Sequence, residues 1–121
     1  MGWKRMVMEL GMGTDIRGAD YTKAATRAVH NALRQNSLSV ADAFGKSSDE
    51  MRVDIKIGVQ KPDQVDQEAV AAMLPYGSAS VEVVKGGMDT PKEDGSVGTI
   101  MANAALIVYL DLPDKKNWIA E

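Results

Sequence analysis

The stretch from Ile100 to Leu110 most constrains what this chain can become. Its two alternating sets are both apolar: Ile100, Ala102, Ala104, Leu106 and Val108 on one side, Met101, Ala105, Ile107 and Tyr109 on the other, with Asn103 the polar exception. A strand that is apolar on both faces belongs in the middle of a sheet, with neighbours at both edges and cover on both sides. The run is too short to cross a bilayer. The rest of the chain must therefore supply partner strands for it, and at least one layer to lie over them.

Three further strands are legible by period-two alternation. Met6, Met8, Leu10 and Met12 alternate with Val7, Glu9 and Gly11; Met51 to Val59 places Met51, Val53, Ile55, Ile57 and Val59 opposite Arg52, Asp54 and Lys56; Ser78 to Lys85 places Ala79, Val81 and Val83 opposite Ser80 and Glu82. Two helices separate them. Asp20 is placed to cap a helix running to about residue 35, ended by Asn36-Ser37, whose apolar stripe (Tyr21, Ala25, Ala28, Val29, Ala32, Leu33) consists mainly of small residues that let it lie close to a sheet. Asp66 caps a second helix over 67–74, with Val65 and Val70 at staple spacing and Pro75-Tyr76-Gly77 as its stop. Residues 37–50 read as a polar loop with an apolar patch at Val40, Ala43 and Phe44, and Gly86 to Gly98 as a long loop between strands. The order β-α-β-α-β-β predicts one α+β domain over 1–121: a two-layer sandwich, with a four-stranded mixed sheet carrying two helices on one face. The second set on the last strand is too apolar to face water, so the open sheet face is expected to be covered by homo-oligomerisation. A charged tail over 113–121 carries Trp118 and Ile119, which are suited to docking on a neighbouring surface.

Composition narrows the function classes. Fourteen basic and seventeen acidic residues give a net charge of −3, which provides no electrostatic footprint for nucleic acid or an anionic membrane. There is no cysteine, which removes disulfides, thiolate zinc sites and thiol nucleophiles and fits a cytoplasmic setting. No signal-like apolar run opens the chain, and Met6 stands where a myristoylation motif needs Ser or Thr. The eight methionines lie mostly in strands and read as core filler.

Chemistry concentrates between Glu9 and Lys23. A strand-to-helix turn over Gly11–Gly18 would aim backbone N–H groups and a helix dipole at one spot. There Gly11, Gly13 and Gly18 would shape a pocket, Arg17 and Lys23 would pair with an anionic small molecule, and Asp15 would orient a polar group or act as base. Glu9 and Asn103 are further candidates. Glu9 could approach Asp15 and share a divalent cation with it; no motif for an organic cofactor is present. The competing reading is structural: the glycines make the turn, Asp15 caps local N–H groups, and the chain is a non-catalytic assembly module. Lys23, Arg27, His30 and Arg34 form one cationic stripe that reads as a solvated helix face, and the single histidine has no nucleophile motif beside it.

The glycine segment resembles the G-x-G-x-D-x-H-G hallmark of a small family of conserved hypothetical proteins from bacteria and plants. Gly11, Gly13, Asp15 and Gly18 match it, and Arg17 stands where that family has histidine. Asp20 to Ala25, the strand ending at Gly58-Val59, and Val81 to Gly87 extend the resemblance over most of the chain. The resemblance implies no assigned activity. A role that needs a neutral imidazole does not carry over to Arg17, whereas an anion clamp would survive the exchange. The element order is also similar to the bacillus chorismate mutase-like and tubulin C-terminal-like topology, which implies assembly into rings with sites between subunits; whether this chain is an enzyme stays open.

Overall fold

In the computed structural model, which describes residues 2–34, 40–75 and 77–113, the central strand is the one the apolar run demands. Strand β5 (Thr99–Leu112) lies between β1 (Gly2–Asp15) and β2 (Arg52–Val59), antiparallel to both, and β3 (Ser78–Lys85) runs parallel to β2 at the outer edge. The order is β1-β5-β2-β3. The expected two-layer α+β sandwich is present, with one strand more than predicted. That strand, β4 (Met88–Thr90), interrupts the long loop after β3 and pairs with β5 where β2 stops: Gly58 faces Asn103 and Met88 faces Met101. The chain crosses from β3 to β4 at Gly87 (φ 64°), whose N–H donates to Asn103 Oδ1 at 2.9 Å.

Helix α1 (Tyr21–Leu33) covers the sheet, and its capping is as the sequence predicts: Asp20 accepts from the Lys23 N–H at 3.0 Å. Its buried residues are Tyr21, Ala24, Ala25, Ala28, Val29 and Ala32, and they rest over β1 and β5. Helix α2 (Val40–Ala43) and a 3-10 turn at Ser48–Glu50, closed by a reciprocal Ser47–Glu50 capping box, organise the segment expected as plain loop. A second 3-10 turn (Pro62–Gln64) and α3 (Gln67–Ala71), capped by Asp66, connect β2 to β3. The last turn of α3 ends at Ala71 rather than at 74, and Val65 and Val70 both enter the core. The expected end of the first helix at Asn36-Ser37 and the expected tail docking of Trp118 and Ile119 lie outside the described residues.

One core fills the space between sheet and helices. Val53, Ile55, Ile57 and Val59 of β2 and Ile100, Ala102, Ala104, Leu106, Val108 and Leu110 of β5 meet the small side chains of α1. Strand β1 packs large side chains against its margin only through Met6 and Val7, beside the register shift between Arg5 and Val7. Its Gly11 and Gly13 lie beneath α1 so closely that a Cβ on Gly13 would stand 2.3 Å from both Ala24 O and Ala28 N, and one on Gly11 would stand 2.3 Å from Ala28 O. From Met8 onward the apolar alternation of β1 points the other way.

Candidate functional site

β1 runs without a break to Asp15. Gly11 and Gly13 are therefore strand residues pressed against helix backbone, and the turn into α1 is confined to 16–20, where Ala19 takes a positive φ of 52°. This revises the expected turn over Gly11–Gly18. The glycines at 11 and 13 admit α1 to close range, and in the folded chain their Cα atoms face the helix rather than a ligand.

Asp15 is the buried polar residue of this region, 5% exposed. Its Oδ2 accepts from the Asp20 N–H at 2.9 Å, and Gly18 lies close enough that a Cβ there would approach Oδ2 to 2.9 Å. Arg27 reaches over from α1, donating from Nη1 to Thr14 O at 2.7 Å and standing 3.7 Å from Asp15 Oδ1. The Asp20 backbone N–H does most to hold the Asp15 carboxyl below the ordinary carboxylate range, with Lys23 and Arg27 helping against partial desolvation. The carboxylate ties the turn to the first turn of the helix. Arg17 and Lys23 are exposed beside it, and Arg17 has no ion pair or hydrogen bond among the described residues.

Glu9 and Asp15 lie on the helix side of β1, but six residues of continuous strand hold them about 20 Å apart. They cannot share a cation, which corrects that expectation. Among the described residues no cluster of three or more His, Asp or Glu is arranged to hold a metal ion. Asn103 is exposed on the opposite face and fixes the β3–β4 crossing through Gly87, so it does not join Asp15. Lys23, Arg27, His30 and Arg34 are all exposed, as a solvated helix face requires.

Two features carried no sequence signal. The Tyr21 hydroxyl, buried under the start of α1, donates to Asp89 Oδ2 on β4. Burial, reinforced by that carboxylate, pushes the Tyr21 phenol up to about 12. The pairing depends on β4, which no alternation announces in a three-residue strand. In addition, the α1 side chains cover part of the free edge of β1: Asn31 Oδ1 accepts from the Met12 N–H at 3.0 Å, one helical turn from Arg27 on Thr14 O.

The open face of the sheet is the other distinctive surface. Met8 (46% exposed), Leu10 (61%) and Met12 (56%) stand on it from β1, and Met88 (58%) from β4. Ile107, Ala105 and Met101 of β5 share that face through their cross-strand pairing with Met8, Leu10 and both Thr14 and Met88. The methionines expected as core filler are thus divided: Met51 is buried, while Met8, Met12 and Met88 are on the surface.

Residues 5–108 match the model of a family described as conserved hypothetical protein, Lin0512_fam. The chain belongs to this family. A crystal structure of an FtsZ-like protein of unknown function from Nostoc punctiforme is 36% identical, over 93% of this chain and 99% of that one, with a TM-score of 0.82. No curated protein matches the chain. Among the described residues no helix is long and apolar enough to cross a membrane.

Proposed function

We propose that this Lin0512_fam member is an assembly protein whose copies meet through the open face of the sheet. The observation that carries this reading is the apolar band of Met8, Leu10, Met12 and Met88 with Met101, Ala105 and Ile107, broken on β5 only by Asn103. A contiguous apolar patch rimmed by polar residues marks an interaction surface. Here the rim is supplied by Arg52, Asp54, Lys56 and Glu82 on the β2–β3 half of the same face. A second copy of the chain is the occupant proposed, because the band needs an equally apolar partner and each copy carries one. Methionine suits such a contact, since its flexible thioether packs against imperfectly matched surfaces. In this reading Gly11 and Gly13 seat α1, and Gly18 and Asp15 shape the turn that leads into it. Sedimentation equilibrium tests it: the native chain is expected to be oligomeric and Leu10→Lys with Met12→Lys monomeric, while a native monomer would refute it.

A second reading is favoured by the guanidinium of Arg17, unpaired among the described residues, beside Lys23 at the start of α1. It takes the Asp15 turn as a site for an anionic small molecule, with Asp15 orienting the cations or serving as base. Thermal shift with phosphate and citrate as probes distinguishes it: stabilisation that is lost in Arg17→Ala supports the site, and no stabilisation by either anion rejects it.

A further inference from the structure

A cavity of about 460 Å³ lies at the opposite end of β1 from Asp15. Trp3, Lys46, Asp49, Met51, Arg52 and Asp111 are among its lining residues. The volume is in the range of small-metabolite sites. β1, β2 and β5 contribute to it, as does the segment between α2 and β2.

Arg52 and Asp111 are unusual within it. The Arg52 guanidinium lies over two rings, 5.2 Å from the centre of Trp3 and 4.5 Å from that of Tyr109, and cation–π attraction to both favours this position. Asp54 is its ion-pair partner at the long distance of 3.9 Å, and its buried Nε–H has no hydrogen-bond acceptor among the described residues. Asp111, opposite Trp3 in the β1–β5 register, has a buried Oδ1 equally without a partner. Opposite charges thus line one cavity without pairing with each other. Lys46 adds a second cation and Asp49 a second carboxylate, whereas Glu50 is occupied by the Ser47 N–H at 2.7 Å.

A ligand with only a negative charge would meet Arg52 and leave Asp111 facing it; a simple cation would do the reverse. Both charges are answered by a molecule that carries an ammonium and a carboxylate on a short frame, and Trp3, Met51 and Leu110 provide apolar wall for its remainder. We propose that this cavity binds a small zwitterion of the amino-acid class, its carboxylate against Arg52 and Lys46, its ammonium against Asp111 and Asp49, and its side chain against Trp3. The cavity adjoins the rim of the contact proposed between copies, since Arg52 belongs to both, but its ligand groups all come from one copy.

The full chain, labelled with nitrogen-15, provides the test. The Trp3 indole N–H resonance, identified by its loss in Trp3→Phe, is followed during titration with L-leucine, with isoamylamine (leucine without its carboxylate) and with 4-methylpentanoate (leucine without its ammonium). L-leucine is expected to shift it saturably at millimolar concentration or below. Each half-molecule should bind at least about tenfold more weakly. Asp111→Asn and Lys46→Gln should both weaken leucine binding, the second on a loop side chain whose exchange leaves the sheet untouched. Absence of a saturable shift, a half-molecule that binds as tightly as leucine, or undiminished binding in both variants would overturn the proposal.

Discussion

Strand β1 presents two opposite kinds of surface. Towards α1 it offers Gly11 and Gly13, and the helix answers with Ala24, Ala28 and Ala32; away from α1 it offers Met8, Leu10 and Met12 to solvent. On the helix side, side chains have been removed so that two backbones can approach. On the open side, large apolar groups have been retained with nothing among the described residues to receive them. The difference separates the two roles one strand can have. Its glycines serve the interior of one copy, and its methionines and leucine are free for the contact proposed between copies.

Breaking the helix side should have the largest effect. Gly13→Ala places a methyl group 2.3 Å from helix backbone that has no flexible end to yield. It should cost about 3 kcal/mol as overpacking, read from a shifted urea midpoint. An unchanged midpoint would mean that α1 can lift from β1 freely. The same layer holds Tyr21, whose phenol keeps its proton to about pH 12 when folded, against a value near 10.0 when unfolded. The unfolded chain therefore releases this proton first, so the stabilisation is complete below pH 10 and is lost between pH 10 and about 12. Denaturant titrations across that interval should show a decline that Tyr21→Phe makes shallower.

Smaller effects are expected on the open side. Asn103→Ala deprives the Gly87 N–H of its acceptor, a loss of about 1 kcal/mol. Faster amide exchange at Gly87, with little change on α1, would locate that loss at the β3–β4 crossing. Leu10→Lys should change the stability of the isolated subunit by no more than about 0.5 kcal/mol, since the residue is 61% exposed. Measured in dilute solution, a large destabilisation would place Leu10 in the fold of one subunit and erase the contrast between the faces.

Much of the architecture was legible because it rests on local pattern. The two-faced apolar run of β5, the alternation of β2, and the caps Asp20 and Asp66 are all visible one residue at a time. The small apolar stripe of α1 even anticipated its close approach to the sheet. What could not be read was which face of β1 meets the helix. Alternation identifies two faces but not their neighbours, and the more apolar set of β1 proved to be the one turned away from the core. The extent of β1 was hidden for a related reason: Gly11 and Gly13 look like turn residues in sequence, and only the packed helix shows why a strand needs them. β4, and with it the Tyr21–Asp89 contact, depends on pairing with a strand ten residues further along. Trp3, Arg52 and Asp111 come together through register, which no single strand encodes.

The most direct test of the assembly account is a comparison of methionine methyl groups in the chain labelled at the methionine ε-carbon. A soluble paramagnetic agent broadens methyl resonances that solvent can reach. At high protein concentration Met8, Met12 and Met88 should be protected to nearly the level of buried Met51, and dilution should expose them. Broadening of the three to the same full extent at every concentration, with Met51 alone protected, would contradict the account.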